Sequence, residues 1–160
     1  MTRTMEPREV ALTWRLHAGL ESMAARADAK AGILLAHQGS AFVLGVTAQQ
    51  MSGGWAMALA LALVAAAMGT AIAVVLPVLR PRRPTATAED IVYFGHLREW
   101  QPPSLAERIE GLSKEEEIAM VTRQLVTLSR INWRKHRLLQ ISLSLTVSAM
   151  SVGAVAVTLL

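Results

Sequence analysis

From residue 31 to residue 79 the chain carries no Asp, Glu, Lys or Arg, and from 138 to 160 it carries none again. Uncharged runs of this length constrain the fold more than any other feature. About twenty apolar residues in a helix already span the ~30 Å hydrocarbon core of a bilayer. Gln49-Gln50-Met51-Ser52-Gly53-Gly54 divides the first run and reads as a tight polar turn. Trp55 follows it, where an indole favours the membrane interface. The expected fold class is therefore an all-α membrane protein with three transmembrane helices, at 31–47, 55–79 and 138–160. A soluble all-helical bundle is the competing architecture, and the two long uncharged runs disfavour it. Pro77 is expected to bend or end the second span.

Charge is sorted by segment. Of the sixteen Lys and Arg, five lie in residues 1–30 and eleven in 80–137. A pI near 10.3 can suggest nucleic acid, but this segregation is a topology signal first, and no nucleic-acid partner is expected. Both basic blocks go to the cytosolic side by the positive-inside rule. Residues 1–30 are then a cytosolic N-terminal helix and 80–137 a small helical cytosolic insert, with the C-terminus outside. Two helices are expected to extend from cytosol into bilayer. The first apolar run starts only after thirty mostly polar residues, which speaks against a cleaved signal peptide. There is no cysteine, so thiolate metal sites and disulfides are excluded.

The first crossing begins at Arg26-Ala27-Asp28-Ala29-Lys30-Ala31-Gly32. Arg26 and Lys30 stand at i, i+4 on one helix face, and Asp28 falls on the other. Helical spacing of Val10, Trp14, Leu16, Leu20, Met23 and Ala27 leads into it. Small pairs allow close helix contact: Ala36 with Ser40, Ala41 with Gly45, and the row Ala65, Gly69, Ala73. Arg80-Pro81-Arg82-Arg83-Pro84 is a basic stop, and 85–89 a loop. Residues 89–97 fit a short helix or an extended piece. After Gln101-Pro102-Pro103, Ser104 with Glu107 reads as a capping box, Gly111 as a helix stop, and Ser113 with Glu116 as a second box. No breaker follows from Lys114 to Val152.

Catalytic signatures are missing: no HExxH, GxSxG, Walker loop or GxGxxG occurs. No enzyme, cofactor or metal site is expected. Arg123, Arg130, Arg134 and Arg137 fall within about 40° of one line on the last helix, a solvated face suited to anionic lipid. Leu125, Leu128, Ser129, Asn132, Lys135 and His136 fall opposite. Polar groups held there between helices require partners. Those are an ion pair such as Asp28 with Lys135, or a small anionic ligand. His37 and Gln38 lie inside the first span. Polar residues at that depth face a bundle interior, either in a hydrogen bond to Ser142 or Ser144 worth about 1 kcal/mol or as a wet pore or gate.

Arg26-Ala27-Asp28-Ala29-Lys30-Ala31-Gly32-Ile33-Leu34-Leu35-Ala36 resembles the opening motif of the Pycsar transmembrane effector family. Tyr93-Phe94-Gly95-His96-Leu97 resembles its aromatic-Phe-Gly element, and Leu128 to Leu139 its segment leading into the final span. The resemblance implies bacterial antiphage defence at the inner membrane. A partner pyrimidine cyclase makes cyclic UMP or cyclic CMP, and the effector answers by impairing the membrane. On that reading Arg26, Lys30 and Lys135 hold the phosphate, Asn132 and His136 read base or ribose, and Asp28 orients Lys135 or meets a ribose hydroxyl. A homo-oligomer is expected. Two other readings remain open: a structural or scaffold membrane protein with no nucleotide ligand, and a channel subunit whose path is lined by His37 and Gln38.

Overall fold

In the computed structural model residues 7–52, 54–76, 97 and 100–158 are described. Among them are four helices and no strand: α1 (Pro7–Ser52), α2 (Trp55–Val75), α3 (Pro102–Glu110) and α4 (Lys114–Thr158). Helices α1, α2 and α4 are each long and apolar enough to cross a membrane. The basic stop at 80–84, the loop at 85–89, and the 89–97 stretch apart from Leu97 lie outside the described residues.

The helix ends differ from expectation in three places. Helix α1 does not stop at 47 but continues through Gln49, Gln50 and Met51 to Ser52. Gln is a good helix former, and nothing in Gln49–Met51 breaks the helix. Helix α2 ends at Val75, short of 79. Leu76 has φ −59° and ψ 124°, because the residue before a proline is pushed out of the helical region. In α3 the first turn is Pro102 and Pro103, with Gln101 as N-cap and no side-chain cap bond. Proline needs no N–H there, so Ser104 lies inside the helix and the expected box with Glu107 does not form. The second box does form: Ser113 Oγ accepts from the Glu116 N–H at 3.2 Å, and Glu116 Oε2 accepts from the Ser113 N–H at 3.1 Å. That backbone N–H, with Arg108 nearby, holds the Glu116 carboxyl below the usual carboxylate range.

The chain divides into two compact units, 1–23 with 78–131 and 24–77 with 132–160. In the first, Met120 and Val121 of α4 are buried. Trp14 Nε1–H donates to Glu117 Oε1 at 2.6 Å. The Trp14 indole meets His17 edge-on, centroids 5.7 Å apart. Arg108 stands 3.6 Å from Glu116 and ties α3 to the start of α4.

The second unit packs α1, α2 and α4 on seams with a seven-residue period. On α2 the buried residues are Met57, Ala60, Val64, Ala67, Ala71 and Val74, alternating three and four apart. On α4, Ser142, Ala149 and Ala156 are buried at sevens, and Ala31 and Gln38 repeat the interval on α1. This period belongs to left-handed packing with helices crossing at about +20°. Most of these residues are Ala or Ser, because in lipid the association rests on close backbone approach rather than on expelling water. At Gly45 a neighbouring side chain fills the space a Cβ would need: an added Cβ would lie 2.9 Å from Leu61 Cδ2.

Cross-helix bonds fix the directions. Asp28 pairs with Lys135, and Gln38 with Ser142 and Thr146, so the offset between α1 and α4 stays near constant at 107, 104 and 108 positions. Those helices run parallel. Helix α2 runs against α4, since Ala67 meets Ser142 whereas Ala60 meets Gly153. The charge-bearing starts of α1 and α4 in this unit share one end. The Gly54 turn and the last turn of α4 share the other.

Candidate functional site

Two polar constellations stand out in the three-helix unit. The first is at its charged end. Lys135 Nζ donates to both Asp28 oxygens, at 2.5 and 2.8 Å. The lysine side chain is 19% exposed and the aspartate 38%. Ala27 and Ala31, one turn apart on the same helix, are buried at 1% and 0%. Their small side chains let α1 and α4 approach closely at this level, and the ion pair caps the contact. Asn132 is buried one turn before Lys135. His136 Nδ1–H donates to the Asn132 carbonyl at 2.9 Å, so its ring lies along its own helix. Arg26 and Lys30 are exposed.

Of the six candidate ligand residues, the fold thus joins Asp28 to Lys135, places Asn132 beneath the surface and leaves Arg26, Lys30 and His136 outward. Residues 24–31 and 132–138 together bear five cations, Arg26, Lys30, Arg134, Lys135 and Arg137, against the single carboxylate of Asp28. The pair neutralises one of them. The end of the unit remains a strongly positive collar, suited to anions.

The second constellation lies in the apolar interior. Gln38 is fully buried. Its Nε2 gives both hydrogens to α4, to Ser142 Oγ at 2.9 Å and Thr146 Oγ1 at 2.7 Å. Ser142 in turn donates to the Ala67 carbonyl of α2 at 2.9 Å, and Thr146 to the Ser142 carbonyl at 2.8 Å. The node therefore links all three helices, with every donor used. Gln38 Oε1 is left buried without a donor. His37 is placed differently. It is exposed and its Nδ1–H donates to the Ile33 carbonyl of its own helix at 2.8 Å. Consecutive helical residues stand about 100° apart, so both cannot face one interior. Thr146 and the Ala67 carbonyl escaped the sequence reading. The signal for Thr146 was its position one turn beyond Ser142 in an uncharged span.

Among the described residues no group of three or more His, Asp or Glu converges to hold a metal. Fold and constellations together define a three-span helical membrane protein with a cationic collar and a polar interior node. A family model described as Pycsar effector protein domain matches residues 12–160, and the chain belongs to that family. Membership makes it an antiphage-defence effector in a membrane context, with a cyclic nucleotide as the signal of the family. Comparisons with curated proteins and with solved structures give no match.

Proposed function

We propose that the chain is a non-enzymatic, oligomeric effector of the bacterial inner membrane that senses a cyclic pyrimidine mononucleotide, cyclic UMP or cyclic CMP, supplied by a partner cyclase. Its response is to impair membrane integrity. The observation that carries this reading is the Asp28–Lys135 pair, set between two parallel helices within a surplus of cations. The N-terminus and residues 80–137 are cytoplasmic, where a soluble nucleotide reaches the collar.

A nucleotide phosphate competes with Asp28 for Lys135, and the outward Lys30 and Arg26 add to the positive field that draws it to this end of the unit. The released Asp28 carboxylate accepts a ribose hydroxyl, and Asn132 and His136 lie within one turn for base or ribose. Two or three charge-assisted bonds at ~1.5–3 kcal/mol each supply enough differential affinity to shift a two-state equilibrium. The exchange changes the α1–α4 spacing at its charged end. The Gln38 node is the point in the bilayer where a changed spacing exposes polar groups, and it is the gate on this reading. The row Ala65, Gly69, Ala73 supports self-association. Gly69 is exposed within the protomer, with nothing within 4 Å of where a Cβ would stand.

Lys135→Ala should abolish nucleotide-triggered toxicity while expression and insertion persist. Lys135→Arg should keep part of it, because a planar fork replaces a point charge. Thermal stabilisation of the solubilised chain by cyclic UMP or cyclic CMP reads binding directly. Normal nucleotide binding by Lys135→Ala would remove the phosphate site from this pair. The satisfied ion pair also favours a second reading, in which Asp28–Lys135 is a structural clamp and no nucleotide binds. Absence of any stabilisation by either nucleotide selects it.

A further inference from the structure

We infer that the outward face of α4 carrying Trp133, Arg134 and Arg137 is a docking surface for the phosphodiester headgroups of anionic lipids. The inference stands whether or not a nucleotide binds at Asp28–Lys135. Within the three-helix unit, Trp133, Arg134, Arg137 and Ile141 fall in an arc of about 100° on α4. The inward seam of half-buried Lys135 and buried Ser142 and Ala149 lies on the other side of the helix. Trp133 is 74% exposed and Ile141 41%. Arg134 and Arg137 are exposed, and among the described residues neither has an acidic partner.

Each feature matches one layer of a membrane surface. Ile141 begins the uncharged part of the face, Arg137 lies about one turn before it, and Arg134 and the indole lie about two turns before it. An indole prefers the interfacial layer. A guanidinium forms a fork that binds phosphate through two parallel bonds. Lys135, one residue from Arg134, has its charge turned inward to Asp28. Helix geometry thus divides the collar into an inward ion pair and an outward arginine face. The occupant is lipid because this face is continuous with the apolar surface that meets the bilayer. A soluble anion there has no enclosing wall.

The test titrates the intact chain in uncharged detergent with phosphatidylglycerol or phosphatidylcholine and reads lipid adducts by native mass spectrometry. Phosphatidylglycerol should bind preferentially. Arg134→Gln with Arg137→Gln should weaken it about fivefold per charge, roughly thirtyfold together, and leave phosphatidylcholine unchanged. Arg8→Gln with Arg15→Gln removes the same charge from another part of the chain and should leave the preference intact. Equal binding of the two lipids, or a preference that survives the Arg134/Arg137 double variant, overturns the inference. Displacement of phosphatidylglycerol by millimolar inorganic phosphate also overturns it, since the face would then be a site for a soluble anion.

Discussion

Replacing Gln38 by Met removes the polar group at the centre of the three-helix unit, yet it should hardly destabilise the protein. Methionine is also unbranched and fills similar space. The change deletes two hydrogen bonds, Nε2 to Ser142 and Nε2 to Thr146. Interhelical bonds in membrane cores average about 0.6 kcal/mol, so the loss is roughly 1.2 kcal/mol. No donor is orphaned, because Ser142 still donates to the Ala67 carbonyl and Thr146 to the Ser142 carbonyl. The change also removes Oε1, which is buried without a donor. An unsatisfied buried acceptor costs about 1–3 kcal/mol. The two effects sum to between neutrality and about 2 kcal/mol of stabilisation. Ser142→Ala reverses the balance. It strands one Gln38 N–H and cuts the link to α2, and should cost about 1–3 kcal/mol. Reversible unfolding in mixed micelles of increasing SDS fraction separates the two variants. A loss of more than ~2 kcal/mol in Gln38→Met would refute the reasoning and mean that Oε1 has a donor in the assembled protein.

Three further outcomes are expected. Ser113→Ala should cost about 1 kcal/mol of local stability at the start of α4, read by hydrogen exchange of its first-turn amides. Because the folded Glu116 carboxyl lies below its unfolded value, its contribution is present above the ordinary carboxylate range and fades as pH falls through the depressed value. Protection that instead rises on acidification contradicts this box. Gly69→Leu should leave protomer unfolding within ~0.5 kcal/mol and weaken self-association, because a Cβ there meets nothing, whereas Gly45→Leu should destabilise the protomer by about 1–3 kcal/mol against Leu61; cross-linking and SDS titration distinguish the two. The chain has no cysteine, so single cysteines at Ala29, Met51 and Val157 report topology with an impermeant maleimide. Met51→Cys and Val157→Cys should label from one side and Ala29→Cys from the other, and labelling of Ala29 and Val157 from the same side contradicts three crossings.

What the sequence disclosed follows from what is local. The absence of charge in 31–79 and 138–160 specified membrane helices, because burying a charge in lipid is costly whatever the neighbours do. The Ser113–Glu116 box was legible because both partners lie within one turn. The Ser104–Glu107 box matched the same pattern and failed, since two prolines at the first turn had already set the start of α3. The Asp28–Lys135 pair was anticipated because Asp28 is the one acid among the cations where both helices meet the apolar runs. Register between helices is not local. The sequence identified Gln38 as a polar residue at depth and Ser142 as a possible partner. It could not place Thr146 and the Ala67 carbonyl in the same node, or assign inward and outward directions to Gln38 and His37.

The 104 positions that separate Gln38 from Ser142 are also an interval of time. Translation at roughly 5–20 residues per second puts about 5–20 s between the two. During that interval α1 and α2 enter the bilayer as a hairpin whose glutamine amide has neither of its α4 acceptors. Of the three spans, α2 has the highest mean hydropathy, 2.4 against 1.4 for α1, so α2 must hold the pair in the bilayer until α4 arrives. A chain arrested before Ser142 would leave that amide facing lipid. Two such hairpins would satisfy it in each other, making a product of interrupted synthesis that self-associates through a group the finished protein keeps inside.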